Sequence, residues 1–493
     1  MPWFGGVLAP ERDLDGLNCF QAARLTSPAP DPRVAPVGAG WMNRVMTVFT
    51  AQIRAQGLFA RAMRGSALTA GSYAIAQALR LISNLILTRI LFPEAFGVMA
   101  LVSVVIVGLA LFSDLGVGPA ISANPKGDDP DFLDTAYALN VSRGVMLWLL
   151  TLLLAWPAAW FYGVPELQAL LPVAGLSLLI AGFYPTRIDT ANRHLLLGRV
   201  TGLDLLSQIL GMGFMVLLAL ATGSIWALVI GGVLGAAAKL LLMMGLLPGR
   251  KSRLGWNPAH RRELIHFGKW IFLSTACAFL LSQGDKAILG KYLSLDALGI
   301  YNIGFFLASF PYLLAHAVLG GVMIPLYRDS PPGASAENFR KMRRFKSAYT
   351  GGSLLLLFII GSLAQPIVGL LYDARYGDAA AVVAMLACAQ MPGIVGLTYD
   401  RAALAAGDSK NFFLLMAARA FGQTLGFLIG LQMAGLTGAI IGMALAVTLL
   451  HPAIILLARK HRAWDALHDV AFFGLGAVMA GLVLWINADI LGL

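Results

Sequence analysis

Tyr73, Gln77, Arg80, Asn84 and Thr88 follow one another at steps of four, three, four and four in an otherwise apolar stretch, so on a helix all five share one face. An arginine in the middle of a bilayer-spanning helix costs about 2.5 to 3.5 kcal/mol on insertion scales. The stripe therefore faces water, a partner helix or an anionic ligand, and Arg80 and Asn84 are the candidates to touch a ligand. Packing between helices is the structural alternative. A second polar seam is expected in 263–289, where Ser274, Ser282 and Asp285 share a face and Lys269 enters near one end. Lys286 sits beside Asp285, either as its partner or snorkelling outward.

Further charges interrupt apolar stretches at Asp114, Arg143, Lys239, Asp400, Arg401 and Arg419. Cations outnumber anions among them. Guanidinium groups meet phosphate and carboxylate oxygens bidentately, so such an interior favours an anionic substrate, with Arg80, Asn84, Arg143, Lys239, Lys269 and Arg419 as binding candidates. Asp114, Asp285 and Asp400 are then structural or coupling anions. Internal pairing is the competing reading, Asp114 with Arg80 and Asp400 with Arg419, and each pair removes one cation from the binding set.

The elements that must position these residues are helices in a bilayer. The chain is 58% hydrophobic and 12% charged, against about 25% charged for soluble domains. Apolar stretches able to cross about 30 Å of hydrocarbon as helix lie at 66–91, 96–121, 133–156, 166–186, 195–221, 224–247, 263–289, 297–325, 347–371, 379–405, 411–433, 436–458 and 469–491. They are too long and too continuous for barrel strands of about ten residues. The fold class is all-α, a polytopic membrane protein. Residues 89–97, RILFPEAFG, return 202 positions later as KYLSLDALG at 291–299, with Leu91 answering to Leu293, Glu94 to Asp296 and Gly97 to Gly299. That spacing predicts an internal duplication: two six-helix bundles around a central cavity, plus one extra C-terminal span. The expected organisation is a disordered or non-native extension at 1–41, a basic amphipathic interfacial segment at 42–64, lobes at 65–247 and 263–460 joined by a linker at 248–262, and an additional helix at 461–493.

Basic residues collect on alternate loops, at Arg187 and Arg193, at 250–262, at 328–346 and at 459–462. The positive-inside rule places those loops and the N-terminus in the cytoplasm. The net charge of +11 is then mostly topology, and no nucleic-acid partner is expected because neither a basic domain nor an aromatic-studded groove is present. Cys19, Cys277 and Cys388 show no CxxC spacing and the seven histidines no ligand spacing, so neither a metal nor a cofactor is expected. No phosphate-binding loop or nucleophile constellation can be assembled, and the connections are too short for a catalytic domain. A transporter is expected rather than an enzyme.

The runs RLISNLILTRILFPEAFGVMALV, LFSDLGVGPAI, IWALVIGGVLGAAAKLLL and ELIHFGKWIFLSTACAFLLSQGDKAILGKYLSLDALGIYNIGF resemble the polysaccharide exporter and oligosaccharide flippase family, within the multidrug/oligosaccharidyl-lipid/polysaccharide exporter superfamily. The resemblance covers about residues 65–460; its most specific pieces are the arginine before a PE-x-FG turn, the DLG after the second span and QGD-x-A-x-LG-x-x-L in the seventh. It implies a cation-lined cavity in the inner membrane that moves undecaprenyl-diphosphate-linked oligosaccharide to the periplasmic leaflet by alternating access, in contact with membrane lipid. Movement of the substrate is expected to use an ion gradient, with H+ or Na+ as the candidate ions, the substrate's own gradient or downstream consumption, and a polymerase and glycosyltransferases are the candidate pathway partners. Two departures stand out: NPKGDDPDFLD is acidic where a basic loop is expected, and TRIDTANRHLLLG keeps only part of the pattern. A multidrug extruder and a non-transporting scaffold of a glycan synthesis complex are the alternatives.

Overall fold

The computed structural model describes residues 58–194 and 196–492; the expectations for 1–41 and for most of 42–64 fall outside the described residues. The first half of the chain forms α1 (Leu58–Ile90), α2 (Pro93–Phe112), α3 (Val117–Ala123), α4 (Pro130–Tyr162), α5 (Leu167–Gly182), α6 (Arg187–Arg193), α7 (Leu197–Thr222) and α8 (Trp226–Leu246). The second forms α9 (Pro258–Tyr292), α10 (Leu295–Asp329), α11 (Ala336–Ser362), α12 (Ala364–Leu371), a 3-10 turn (Ala374–Tyr376), α13 (Ala379–Leu397), α14 (Asp400–Ala405), α15 (Ser409–Leu449), α16 (His451–Lys460), α17 (Ala466–Ile486) and α18 (Ala488–Leu491). No strand occurs among the described residues. Helix is the element that satisfies its own backbone groups in hydrocarbon. Residues 58–64 are continuous with the first span, since α1 begins at Leu58.

Local chemistry sets the helix ends. Pro93, Pro130 and Pro258 occupy the first turns of α2, α4 and α9, where no N–H is needed. The side chains of Asp129, Asn257, Ser294, Ser335 and Asp465 accept from backbone N–H groups of the turns they begin. Among the described residues nine helices are long and apolar enough to cross a membrane. One of these, Ser409–Lys460, is a hairpin: Ala434 (φ −146°) and Gly435 (φ 59°) break α15, as the separation of 411–433 from 436–458 predicts. Its arms touch backbone to backbone. A Cβ on Gly426 would lie 2.5 Å from the carbonyl oxygen of Gly442, and Gly430 and Gly438 face each other's carbonyls still more closely, so only small residues fit.

We refer to 58–246 and 258–491 as the first and second lobes; helices pack both within and between them. α5 packs on α2, α4 and α8, and α7 on α8; in the second half α13 packs on α10, α11, α15 and α17. Between the lobes, α2 lies against α9 and α10, and α4 against α9. The repeat is visible in one contact. A Cβ on Gly97 would run into the carbonyl oxygen of Leu295, and a Cβ on Gly299 into that of Pro93. Both glycines and both carbonyl residues are related by the same offset of 202 positions, so this is a reciprocal contact about a pseudo-two-fold axis.

A belt of hydrogen bonds closes the lobes at this hairpin end. Tyr376 Oη donates to Leu91 O at 2.9 Å, Arg375 Nη2 to Thr88 O at 3.1 Å, Lys291 Nζ to Phe161 O at 2.5 Å and Tyr162 Oη to Ala287 O at 3.3 Å. At the opposite, basic end the first turns of α9 reach the first lobe. Asn124 Nδ2 donates to Glu263 Oε1 at 2.7 Å, and Leu264 joins a cluster with Val117, Ile121 and Phe132.

Gly97→Ala and Gly299→Ala each place a methyl against backbone, which cannot turn aside. Each is expected to lower stability by about 1 to 3 kcal/mol, as overpacking does. Gly71→Ala, which meets nothing within 4 Å, serves as the neutral control in the same thermal unfolding measurement on purified protein.

Candidate functional site

Three of the candidate cations are answered from within the protein. Arg143, on α4, donates from Nε to Ser113 Oγ at 2.9 Å and from Nη2 to Ala110 O at 2.6 Å. It caps the carbonyl end of α2, where a cation also meets the helix dipole favourably. Lys239, on α8, forms an ion pair with Asp204 of α7 and stands 5.4 Å over the Tyr184 ring. Asp204 is held in turn by Gln208 Nε2 at 3.0 Å. Arg419, on α15, donates from Nη1 to Asp400 Oδ2 at 2.5 Å, with Asp400 buried and Arg419 largely so. The pairing of Asp400 with Arg419 weighed from sequence is present in the structure.

Other candidates have different partners from those expected. Asp114 does not pair with Arg80: its Oδ1 accepts from Gly116 N at 2.8 Å, holding the break between α2 and α3, where Gly116 adopts φ 60°. Asp285 does not pair with Lys286. It accepts from the fully buried Tyr301 Oη at 2.7 Å, while Lys286 stands 4.6 Å over the Phe305 ring. Arg401 meets His316 Nε2 at 3.2 Å. The side chain of Lys269 lies outside the described residues.

Arg80 is the exception. Its side chain is exposed on α1, and among the described residues it makes no hydrogen bond, ion pair or ring contact. One turn on, the buried Oδ1 of Asn84 has no donor, an arrangement that a native buried amide seldom tolerates without a ligand or water. Gln77 and Thr88 on the same face are buried, and Thr88 Oγ1 bonds back to Leu85 O at 3.1 Å. The stripe thus divides into packed ends and an unmet centre. Offset by 202 positions, Arg80 and Asn84 correspond to Ser282 and Lys286; each lobe carries one cation on this face, one turn apart.

Two features escaped the reading from sequence. Asp204 lies inside an apolar span, and its charge was the available signal. At the basic end of the second lobe, His451, His468 and Asp469 are buried together with Tyr399, although the histidines show no ligand spacing along the chain. Nearby, Asp408 begins α15 and accepts from Lys460 Nζ at 2.6 Å, from Asn411 Nδ2 at 2.9 Å and from His461 Nε2 at 3.0 Å. The lysine bond, followed by those from Asn411, holds its carboxyl well below the usual carboxylate range.

Breaking a buried pair strands the remaining charge, at about 3 to 5 kcal/mol. Arg419→Ala is expected to lose stability on that scale through Asp400, whereas Arg80→Ala is expected to stay within about 0.5 kcal/mol of the parent, as surface changes do; unfolding in detergent distinguishes them. Asp408 has a depressed folded-state pKa, so its stabilisation is full above the unfolded value of about 3.9 and is lost as pH falls through the folded value. Asp408→Asn should therefore melt below the parent at neutral pH, with the difference shrinking as the pH drops below about 4.

The chain is similar to the teichuronic acid biosynthesis protein TuaB of Bacillus subtilis (strain 168), 25% identical over 43% of this chain and 44% of the relative. It is also similar to the succinoglycan biosynthesis transport protein ExoT of Rhizobium meliloti (strain 1021), 25% identical over 63% of this chain and 62% of the relative. The chain thus spans 44% and 62% of the length of these two curated relatives. In fold it is similar to the lipid II flippase MurJ in an inward closed conformation, with a TM-score of 0.62 at 13% identity, covering 85% of this chain and 97% of that one. That likeness is one of fold alone. The profile of the family described as "Polysaccharide biosynthesis protein" runs over residues 86–381, from the last turn of α1 across both lobes into α13, and the chain belongs to that family.

Proposed function

We propose that this protein is a flippase that carries undecaprenyl-diphosphate-linked oligosaccharide repeat units from the cytoplasmic to the periplasmic leaflet by alternating access. The observation that carries this reading is the exposed guanidinium of Arg80 on α1, without a partner among the described residues, beside the unmet amide oxygen of Asn84. A guanidinium matches phosphate oxygens in a fork, and an amide oxygen accepts from a sugar hydroxyl. One anionic group with hydroxyls beside it would answer both. The family and the two named relatives support a place in polysaccharide biosynthesis, and the flippase-like architecture supports movement of the substrate rather than its conversion.

The basic end is the cytoplasmic one on the positive-inside rule, so the hairpin end faces the periplasm. With that belt closed, substrate enters from the cytoplasmic side; release requires Tyr376, Arg375, Lys291 and Tyr162 to give up their bonds across the lobes. Arg143, Lys239 and Arg419, each satisfied internally, position helices around the path. A scaffold would keep its function without Arg80; a flippase would not.

Arg80→Ala is expected to lose surface polysaccharide and to accumulate lipid-linked repeat units at unchanged protein level, with Arg80→Lys intermediate because it keeps the charge and loses the fork. Loss of a charged hydrogen bond of about 1.5 to 3 kcal/mol corresponds to roughly ten- to hundredfold weaker binding. Polymer at parental levels in Arg80→Ala cells would overturn this reading.

A further inference from the structure

Not every interior cation is answered by a carboxylate or a carbonyl. Arg401, on α14, meets only the imidazole of His316, from Nη2 to Nε2 at 3.2 Å, and no carboxylate pairs with it among the described residues. Asp400, beside it in the chain, turns to Arg419 instead. That pair cancels, so the charge of Arg401 is left over in the second lobe.

A guanidinium only donates, so His316 accepts on Nε2 and carries its proton on Nδ1. That N–H has no acceptor among the described residues, and neither have the other N–H groups of Arg401. His316 is exposed and Arg401 half-buried, so both can take a ligand. Aromatic rings stand around them. Tyr312 lies one turn before His316 on α10, and on α11 the rings of Phe345 and Tyr349 stack with centroids 6.3 Å apart and planes 10° apart. The charge of Arg401 reaches both tyrosines. α10 packs against α11 and α14, which brings three segments distant in sequence to one place.

The free polar atoms of Arg401 and His316 are donors, they carry one net positive charge, and the walls around them are aromatic. Such a site wants paired acceptor oxygens on a body with an apolar face. The carboxylate of an acidic sugar supplies the oxygens for the guanidinium fork, and the C–H face of its ring lies on tyrosine. A neutral sugar leaves the charge unmet, and a bare phosphate leaves the rings uncovered. His316 ends the part of α10, Leu295–His316, that is long and apolar enough to cross a membrane, so the group stands toward the basic end of the second lobe. On the positive-inside rule a head group arrives from that side.

We propose that Arg401 and His316, walled by Tyr312 and Tyr349, form a sugar subsite that binds the carboxylate of an acidic sugar in the oligosaccharide as it enters. The subsite rests on the flippase reading above and gives its substrate a chemical class, an oligosaccharide that carries a uronic-acid-type sugar. Arg80, in the other lobe, takes the phosphate, so carrier and sugar are read by separate arginines.

The test is saturation-transfer NMR on full-length protein in detergent, with sodium glucuronate and glucose as probes and Arg80→Ala as the background, so that the first-lobe guanidinium takes no anion. Glucuronate should bind about ten- to hundredfold more tightly than glucose. Arg401→Ala should bring glucuronate down to the level of glucose, and Arg401→Lys should fall between because it keeps the charge and loses the fork. His316→Ala should weaken glucuronate about two- to tenfold. Removing Arg401 strands no carboxylate, so an unchanged melting temperature is expected, and Arg401→Lys decides the matter should Arg401→Ala not fold. Inorganic phosphate at the same concentration should displace little of the glucuronate. Equal binding of glucose and glucuronate, glucuronate binding unchanged in Arg401→Ala, in Arg401→Lys or in His316→Ala, or full displacement by phosphate would each overturn the proposal. Parental polymer in Arg80→Ala cells together with selective glucuronate binding removes the flippase reading and leaves the subsite; the reverse pair of results removes the subsite alone.

Discussion

A charge carried into hydrocarbon must be answered, by a counter-charge, by backbone carbonyls or by something the protein binds. That constraint organises the interior of this protein. Arg143 is answered by the end of α2, Lys239 by Asp204 and Arg419 by Asp400. Each answer ties two helices of one lobe together. Arg80 has no such answer among the described residues, and it lies on the first helix, whose last turn and the loop after it are gripped by Arg375 and Tyr376 of the other lobe.

Between the lobes the contact is of another kind. Gly97 and Gly299 bring backbone against backbone, which offers shape without charge and separates at no electrostatic cost. The belt around them is made of a few hydrogen bonds, most donated by tyrosine and basic side chains to carbonyl oxygens. Such bonds exchange readily for water once a gap opens. The ion pairs of Lys239 and Arg419 lie within lobes, whereas the hydrogen bonds of the belt run between them.

The duplication is not chemically symmetric. Ser282 stands where the first lobe has Arg80, and Lys286, over Phe305, stands where it has Asn84. The second lobe instead concentrates its titratable groups at the basic end, where Asp469 gathers two histidines, a tyrosine and a tryptophan.

The helices, their ends and the repeat were legible in the chain itself, because hydrophobic length, first-turn prolines, capping side chains and the 202-residue offset are local or periodic properties. Thirteen apolar stretches were read from sequence, whereas nine helices among the described residues are long and apolar enough to cross a membrane, one of them the hairpin Ser409–Lys460; DLG, a break within the second stretch, is held by Asp114 to Gly116 N. The stripe of Arg80 and Asn84 was likewise readable from spacing alone. Partner choice was not. Whether Lys239 meets Asp204, Asp285 meets Tyr301, or His451 and His468 share Asp469 depends on which helix faces lie side by side, a lateral relation between segments far apart in sequence that no spacing along the chain encodes. Sequence determined where charges enter the membrane, and tertiary structure decided which of them are already neutralised, because electrostatic satisfaction is a property of neighbours in space.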